Sequence, residues 1–252
     1  MALSTLFIGR NEIELESVDS TNYHALEMCR KENVSEGTVI LAHHQPNGRG
    51  QRGRFWQSEP GKNLLCSIIL KPVFMNVQEQ FCLNKAIALS VRNAVNTLFP
   101  STNSQIKWPN DIMVNERKLA GILIENILSG RQIVSAVAGI GLNINQEVFP
   151  EDAGNPVSLK LLLNQTIDIR CVLEEILNHF EPEYLRFKSG KYGDIHARFD
   201  EALWRRGQET KYTMDGKTFI GKIHSVDENG CLLMETPEGV RAYMNGEIQI
   251  VI

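Results

Sequence analysis

The apolar positions of this chain follow two periods, and the places where one gives way to the other mark out its elements. Ile13 and Leu15 alternate with Glu12, Glu14 and Glu16, so residues 1–18 are predicted to be extended. Val18-Asp19-Ser20-Thr21-Asn22 then opens a helical stretch running to about Glu32, with Asp19 or Ser20 as its N-cap. A β-branched run over 38–42 and an apolar run over 64–70 predict two buried strands. Residues 78–99 read as a long amphipathic helix, with Phe81, Ala88, Val91, Val95 and Leu98 near 3.6 spacing; it is core, and no chemistry is assigned to it. Residues 105–114 form a strand, a break and a second strand, because Pro109 cannot donate to a ladder. Asn115-Glu116-Arg117 is a turn, 118–125 a strand with Ala120-Gly121 at its centre, and 133–144 a glycine-interrupted strand buried on both faces. A loop over 146–158 leads to two helices, 170–188 (with a kink expected at Pro182) and 194–205.

From about Gly207 the period becomes two. Asp215-Gly216, Asn229-Gly230, Glu238-Gly239 and Asn245-Gly246 are hairpin signals. They predict a small β-barrel or sandwich appended to a larger domain, with the boundary near 206, giving domains 1–206 and 207–252. The length of 252 residues suits such a pair.

Composition narrows the function classes. The formal net charge is −4 and the pI about 5.9, which is not the balance of a general nucleic-acid binder. No apolar run approaches the ~18 residues needed to span a membrane, and the first nine residues lack a signal peptide's cationic start. Five scattered cysteines without a CxxC fit a reducing cytoplasm.

Against that acidic background one loop is cationic. Gln45-Pro46-Asn47-Gly48-Arg49-Gly50-Gln51-Arg52-Gly53-Arg54-Phe55-Trp56 lies between the two buried strands, and no Asp or Glu occurs from Gly37 to Ser58. Three arginines supply forked donors for phosphate or carboxylate, and three glycines let the backbone come close to a ligand. Gly48, Gly50 and Gly53 spell G-x-G-x-x-G, but a dinucleotide fingerprint needs a helix at the glycines, and here Pro60-Gly61 and a strand follow. A solvated basic loop, or an arginine–glycine segment binding RNA, are the other readings. Ser20-Thr21-Asn22 either caps a helix or holds a polar ligand head. Asn110 and Asp111 sit at the strand break, Lys118 heads an apolar strand where a lysine usually snorkels to solvent, and Asn143 and Asn145 need partners.

Taken together, Ser20-Thr21-Asn22, the loop from Gln45 to Trp56, Lys107-Trp108-Pro109-Asn110-Asp111 and the run from Arg117 to Glu125 resemble the catalytic region of biotin protein ligases. Gly139–Asn143 and Gly246-Glu247-Ile248 also fit, so the resemblance covers essentially the whole chain. It implies an α+β fold: a mixed β-sheet with flanking helices, of the class II synthetase-like type, plus a small C-terminal SH3-like β-barrel. It implies two half-reactions, in which biotin and Mg·ATP give biotinyl-5′-AMP and a lysine of a biotin carboxyl carrier domain then takes the biotinyl group. No tightly bound cofactor is expected, and no metal motif is present; magnesium is carried with ATP.

Residue by residue, the resemblance implies that Lys118 bridges the biotin carboxyl and the phosphate, and that Arg49 holds phosphate. Ser20, Thr21, Asn22, Gln45, Arg49, Gly50, Gln51 and Lys118 are the expected biotin contacts. Arg49, Arg52, Arg54, Lys107, Asn110 and Asn143 are the expected ATP or adenylate contacts. Asp111 is the candidate acceptor of the carrier lysine's proton, the alternative being a strand-break hydrogen-bond acceptor. Gln51 stands where many members carry a third arginine, which removes a positive charge beside the adenylate. Nineteen residues precede Ser20, leaving no room for the helix-turn-helix domain of the repressor members, so no operator binding is expected. At most a weak symmetric dimer is expected. The rivals are a lipoate or octanoate ligase of the same superfamily and a non-catalytic regulator that binds a biotinyl nucleotide.

Overall fold

The computed structural model describes residues 2–31, 33–130 and 132–251. Two sheets organise it. The first has seven strands: β1 (Glu12–Ser17), β2 (Val39–His44), β3 (Leu64–Leu70), β4 (Gln105–Lys107), β5 (Asp111–Val114), β6 (Arg117–Ser129) and β7 (Gln132–Leu142). Their spatial order is β1-β2-β3-β7-β6-β5-β4. Only β1 and β2 run parallel, and they are joined through α1 (Thr21–Lys31), as a parallel pair requires a crossover. The expected helix end at Glu32 lies outside the described residues.

The apolar pattern shows why the sheet is covered on both faces. In β2, Val39 and Leu41 face one buried cluster and Ile40 the other. All seven residues of β3 are buried, which explains an apolar run without alternation. One face carries α1, through Ala25 and Leu26. The other carries α2 (Gln80–Leu98), over which α4 (Ile169–Lys188) and α5 (Tyr192–Glu201) pack. The sequence predicts α2 as amphipathic, yet twelve of its residues are buried, because helices and the second sheet cover its outer side. Pro182 lies inside α4, as expected from the pattern. A short helix that the pattern does not announce, α3 (Leu159–Leu163), is capped by the Ser158 hydroxyl accepting from Leu161 N–H.

The second sheet is antiparallel: β8 (Glu209–Met214), β9 (Lys217–Val226), β10 (Leu232–Thr236), β11 (Gly239–Tyr243) and β12 (Gln249–Ile250), in the order β11-β10-β9-β8-β12. Three of the four predicted turns fall between its strands, and in the fourth Glu238 lies in the turn while Gly239 opens β11. This is the small barrel-like unit implied by the resemblance. Its inward residues, among them Tyr212, Ile223, Met234 and Tyr243, join the same buried cluster as α2 and the main sheet. The two sheets therefore share one continuous core.

Candidate active site

The glycine–arginine loop folds back on itself. Trp56 N–H donates to the Gly48 carbonyl at 2.8 Å, and Gly50 N–H to the Arg54 carbonyl at 2.7 Å. The reversal at Arg52 (φ 57°) and Gly53 (φ 74°) is left-handed, which glycine tolerates. The next α-helix begins only at Gln80, so the loop does not open a dinucleotide-type helix. The returning strand directs the Trp56 ring onto Gly121 of β6 and Gly141 of β7. A Cβ on Gly141 would lie 2.5 Å from that ring, so the glycine is what admits an indole here. Arg49 lies with its guanidinium 5.0 Å from the centre of the Tyr23 ring, on the first turn of α1.

Ser20 caps α1, its hydroxyl accepting from Tyr23 N–H at 3.4 Å. The two residues after it belong to a buried polar network. Gln45 Oε1 accepts from Thr21 N–H at 2.6 Å and from Thr21 Oγ1 at 3.0 Å. Ser67 Oγ lies 2.7 Å from both Thr21 Oγ1 and Asn22 Oδ1. Asn22 Nδ2 donates to the Leu123 carbonyl at 3.1 Å and to Glu125 Oε2 at 2.9 Å. Ser67 and Glu125 were not among the expected site residues. A lone hydroxyl in the apolar run of β3 was the available signal for Ser67; for Glu125 it was its place at the end of the run from Arg117 that carries the resemblance.

A cleft runs from this network past Gly139 and Gly141 to Lys118. Of the expected residues it is lined by Ser20, Thr21, Asn22, Gln45, Arg49 and Gly50, and also by Gln51, Asn110 and Lys118. Trp56, Cys66, Ile122, Leu123, Ile140 and the glycine floor complete it. Lys118 Nζ pairs with Asp111 Oδ1 at 2.7 Å and lies 5.6 Å from the centre of the Trp56 ring. The antiparallel β5–β6 pairing, with its bulge between Ile112 and Met113, brings these two side chains together. Asn110 is tied to β6 by its Nδ2 donating to the Ile122 carbonyl at 2.7 Å.

The remaining expected residues stand outside the cleft lining. Asp111 reaches it through Lys118. Lys107 is half-buried, with Nζ 5.6 Å from the Trp204 ring centre, and burial lowers its pKa, with Lys118, Arg54 and Arg205 also disfavouring its charge and Asp111 favouring it. Arg54 is exposed. The Arg52 guanidinium lies against Gly246 of the second sheet, where a Cβ would collide with it, and Gln51 Oε1 accepts from Asn245 Nδ2 at 3.0 Å. Asn143 is buried beneath Lys118, its N–H donating to the Leu119 carbonyl at 2.9 Å. Arg205 was not expected near this group; its guanidinium lies 4.4 Å from the Trp204 ring centre and pairs with Glu116.

Known proteins resemble this chain in sequence and fold. The model of the biotin/lipoate A/B protein ligase family matches residues 14–143. The chain is 30% identical to the bifunctional ligase/repressor BirA of Bacillus subtilis, across 98% of this chain and 76% of that protein. It is 28% identical to the biotin–[acetyl-CoA-carboxylase] ligase of Paracoccus denitrificans, across 93% of this chain and 98% of that one. The biotin protein ligase of Aquifex aeolicus, solved with biotin and ATP, superposes with a TM-score of 0.78 at 30% identity, covering 96% of this chain and 99% of the other. No helix of the described residues is long and apolar enough to cross a membrane. With the sheet order, the polar network and the Lys118–Asp111 pair lying within a match of this extent, the chain belongs to the biotin/lipoate A/B protein ligase family.

Proposed function

We propose that the chain is an ATP-dependent biotin–protein ligase, forming biotinyl-5′-AMP and passing the biotinyl group to a lysine of a biotin carboxyl carrier domain. The observation that carries this reading is the cleft itself, with a buried polar network at one end and a lysine–aspartate pair at the other. The Thr21–Gln45–Ser67–Asn22 network suits a ureido ring, which needs both donors and acceptors. A dithiolane or an alkyl chain has no donors with which to exchange hydrogen bonds with that network.

A carboxylate does not acylate an amine at neutral pH; it needs a leaving group. In the first step a biotin carboxylate oxygen attacks the α-phosphorus of Mg·ATP, and the bond to pyrophosphate breaks. Two anions must approach. Unit charges 4 Å apart repel by about 4 kcal/mol at an effective dielectric of 20. Lys118 and Arg49 on the cleft wall supply the compensating charge. In the second step the carrier lysine attacks the acyl carbon and AMP leaves. An amine with a pKa near 10.4 must first lose a proton, which costs roughly 4–5 kcal/mol at pH 7. Asp111, beside Lys118 at the mouth of the cleft, accepts that proton. Lys107, Arg54 and Arg205 form a cationic group near the same pair, placed to hold departing pyrophosphate. We place the reaction in the cytoplasm, in keeping with scattered cysteines that form no CxxC.

The test is pyrophosphate release from Mg·ATP with biotin, lipoate or octanoate, with and without a carrier domain. Biotin-selective release followed by a biotinyl mass shift on the carrier lysine supports the ligase. Release with lipoate or octanoate alone keeps the superfamily and changes the substrate. Tight biotin binding without release points to a regulator.

A further inference from the structure

The catalytic sheet and the second sheet meet at a fully buried cation. Lys85, on α2, is 0% exposed. Its Nζ lies 2.7 Å from His196 Nδ1 on α5, 2.7 Å from the Val226 carbonyl and 3.3 Å from the Asp227 carbonyl, at the turn between β9 and β10. The rings of Phe81 and Phe199 cage it, with centres 5.7 and 5.3 Å away. Three acceptors meet one ammonium group, so each of its protons has a partner. A charge buried this deeply persists only when it is so paired.

The turn that Lys85 grips continues to the candidate active site. Val226 N–H donates to Asp200 Oδ1 at 2.9 Å, and Cys231 N–H to Asp227 Oδ1 at 2.7 Å, which fixes the residues between them. Gly230 (φ +87°) packs so closely on Phe81 that a Cβ would sit 2.5 Å from the ring. The Gly230 carbonyl accepts from Trp108 Nε1 at 2.9 Å. Trp108 begins the tight turn between β4 and β5 that carries Asn110 and delivers Asp111 to Lys118.

We infer that Lys85 and His196 form a buried one-proton clamp that seats the 226–231 turn and, through Gly230 and Trp108, positions Asp111 for biotinyl transfer. Lys85 is a positioning residue, not a catalytic one; the inference rests on the ligase reading for its last link. The contact leaves room for a single proton between Nζ and Nδ1. The ammonium donates to a neutral imidazole, against the burial that lowers the Lys85 pKa. A second proton would set two cations in contact and open the clamp. The groups facing the pair are Cys82 from α2, Asp200 from α5, and Asp227 and Glu228 from the turn. Burial and the neighbouring Lys85 both lower the His196 pKa, so the second proton enters on the acid side of the ordinary histidine range.

The experiment follows the Trp108 indole N–H by NMR, assigned with Trp108→Phe, alongside transfer from biotinyl-5′-AMP to a carrier domain. In Lys85→Met the indole proton should exchange at least tenfold faster. Transfer kcat should fall at least tenfold, with the KM for biotinyl-5′-AMP unchanged. His196→Leu should behave likewise. His196→Asn, whose Oδ1 replaces the Nδ1 acceptor, should recover most of that loss. Acidification should speed indole exchange in the wild type and not in His196→Asn, a pattern that general destabilisation does not produce. A folded Lys85→Met with exchange and transfer within twofold of wild type overturns the clamp. Should Lys85→Met not fold, His196→Leu against His196→Asn makes the same comparison. If the wild type itself transfers no biotin, the ligase reading falls, and indole exchange alone decides the clamp.

Discussion

Replacing Lys118 by alanine removes a unit charge from the wall of the cleft. In the structure Nζ is held 2.7 Å from Asp111 Oδ1, with the lysine side chain 35% and the aspartate side chain 21% exposed. A charge about 4 Å from a developing anion contributes roughly 4 kcal/mol at an effective dielectric of 20. Partial exposure lets water and salt screen some of that, so we take about 2–4 kcal/mol. At 1.36 kcal/mol per decade this is a loss of roughly 30- to 1,000-fold in biotin-dependent adenylation. The fold should survive, because a part-exposed ion pair contributes at most about 1 kcal/mol to stability. Biotin binding should weaken by one carboxylate contact but persist, since Thr21, Asn22 and Gln45 are untouched at the other end of the cleft. The assay is single-turnover pyrophosphate release, with calorimetry for biotin affinity and thermal melting as controls. A folded Lys118→Ala enzyme that releases pyrophosphate within threefold of the wild-type rate would refute the assignment.

Three further outcomes are expected. Asp111→Asn should slow biotinyl transfer by at least tenfold more than it slows adenylation, read by assaying the half-reactions separately; equal losses would show that Asp111 acts only through Lys118. Gly139→Ala would drive a Cβ into Asn22 Oδ1 and break its bond to Ser67, so biotin affinity should fall by tenfold or more while the sheet persists; unchanged calorimetric affinity would remove Asn22 from the site. Burial, as the first cause in each case, raises the thiols of Cys66 and Cys82 from 9.0 to about 12. The folded state then keeps protons that the unfolded chain releases above pH 9. This stabilisation is complete below pH 9 and is lost as pH climbs towards 12, by up to about 1.4 kcal/mol per pH unit and thiol. Urea unfolding between pH 8 and 10.5 should show a shallower alkaline loss in Cys66→Ala, and an identical slope would contradict it.

Much of the architecture was legible because it depends on local chemistry. The uninterrupted run of β3 announces a strand covered on both faces, and the Asp-Gly and Asn-Gly pairs announce the hairpins of the second sheet. The cationic loop was visible because no acidic residue interrupts it, and the Ser20 cap because helix ends select such side chains. Other features depend on neighbours that only folding supplies. The expected charge chemistry of Lys118 gains its partner through the register of β5 on β6, including a bulge that sequence does not mark. Ser67 and Glu125 join Asn22 across strands far apart in the chain. Arg52 turns to the second sheet and away from the cleft, and Gln51 touches both. Lys85 shows the limit most clearly. It lies on a helix read as core with no chemistry assigned, and it becomes a buried clamp only because α5, two phenylalanine rings and a distant turn close around it. Period and propensity are fixed by residues a few positions apart, and those the sequence determined. The partner of a buried charge is fixed by long-range packing, and that only the tertiary structure decided.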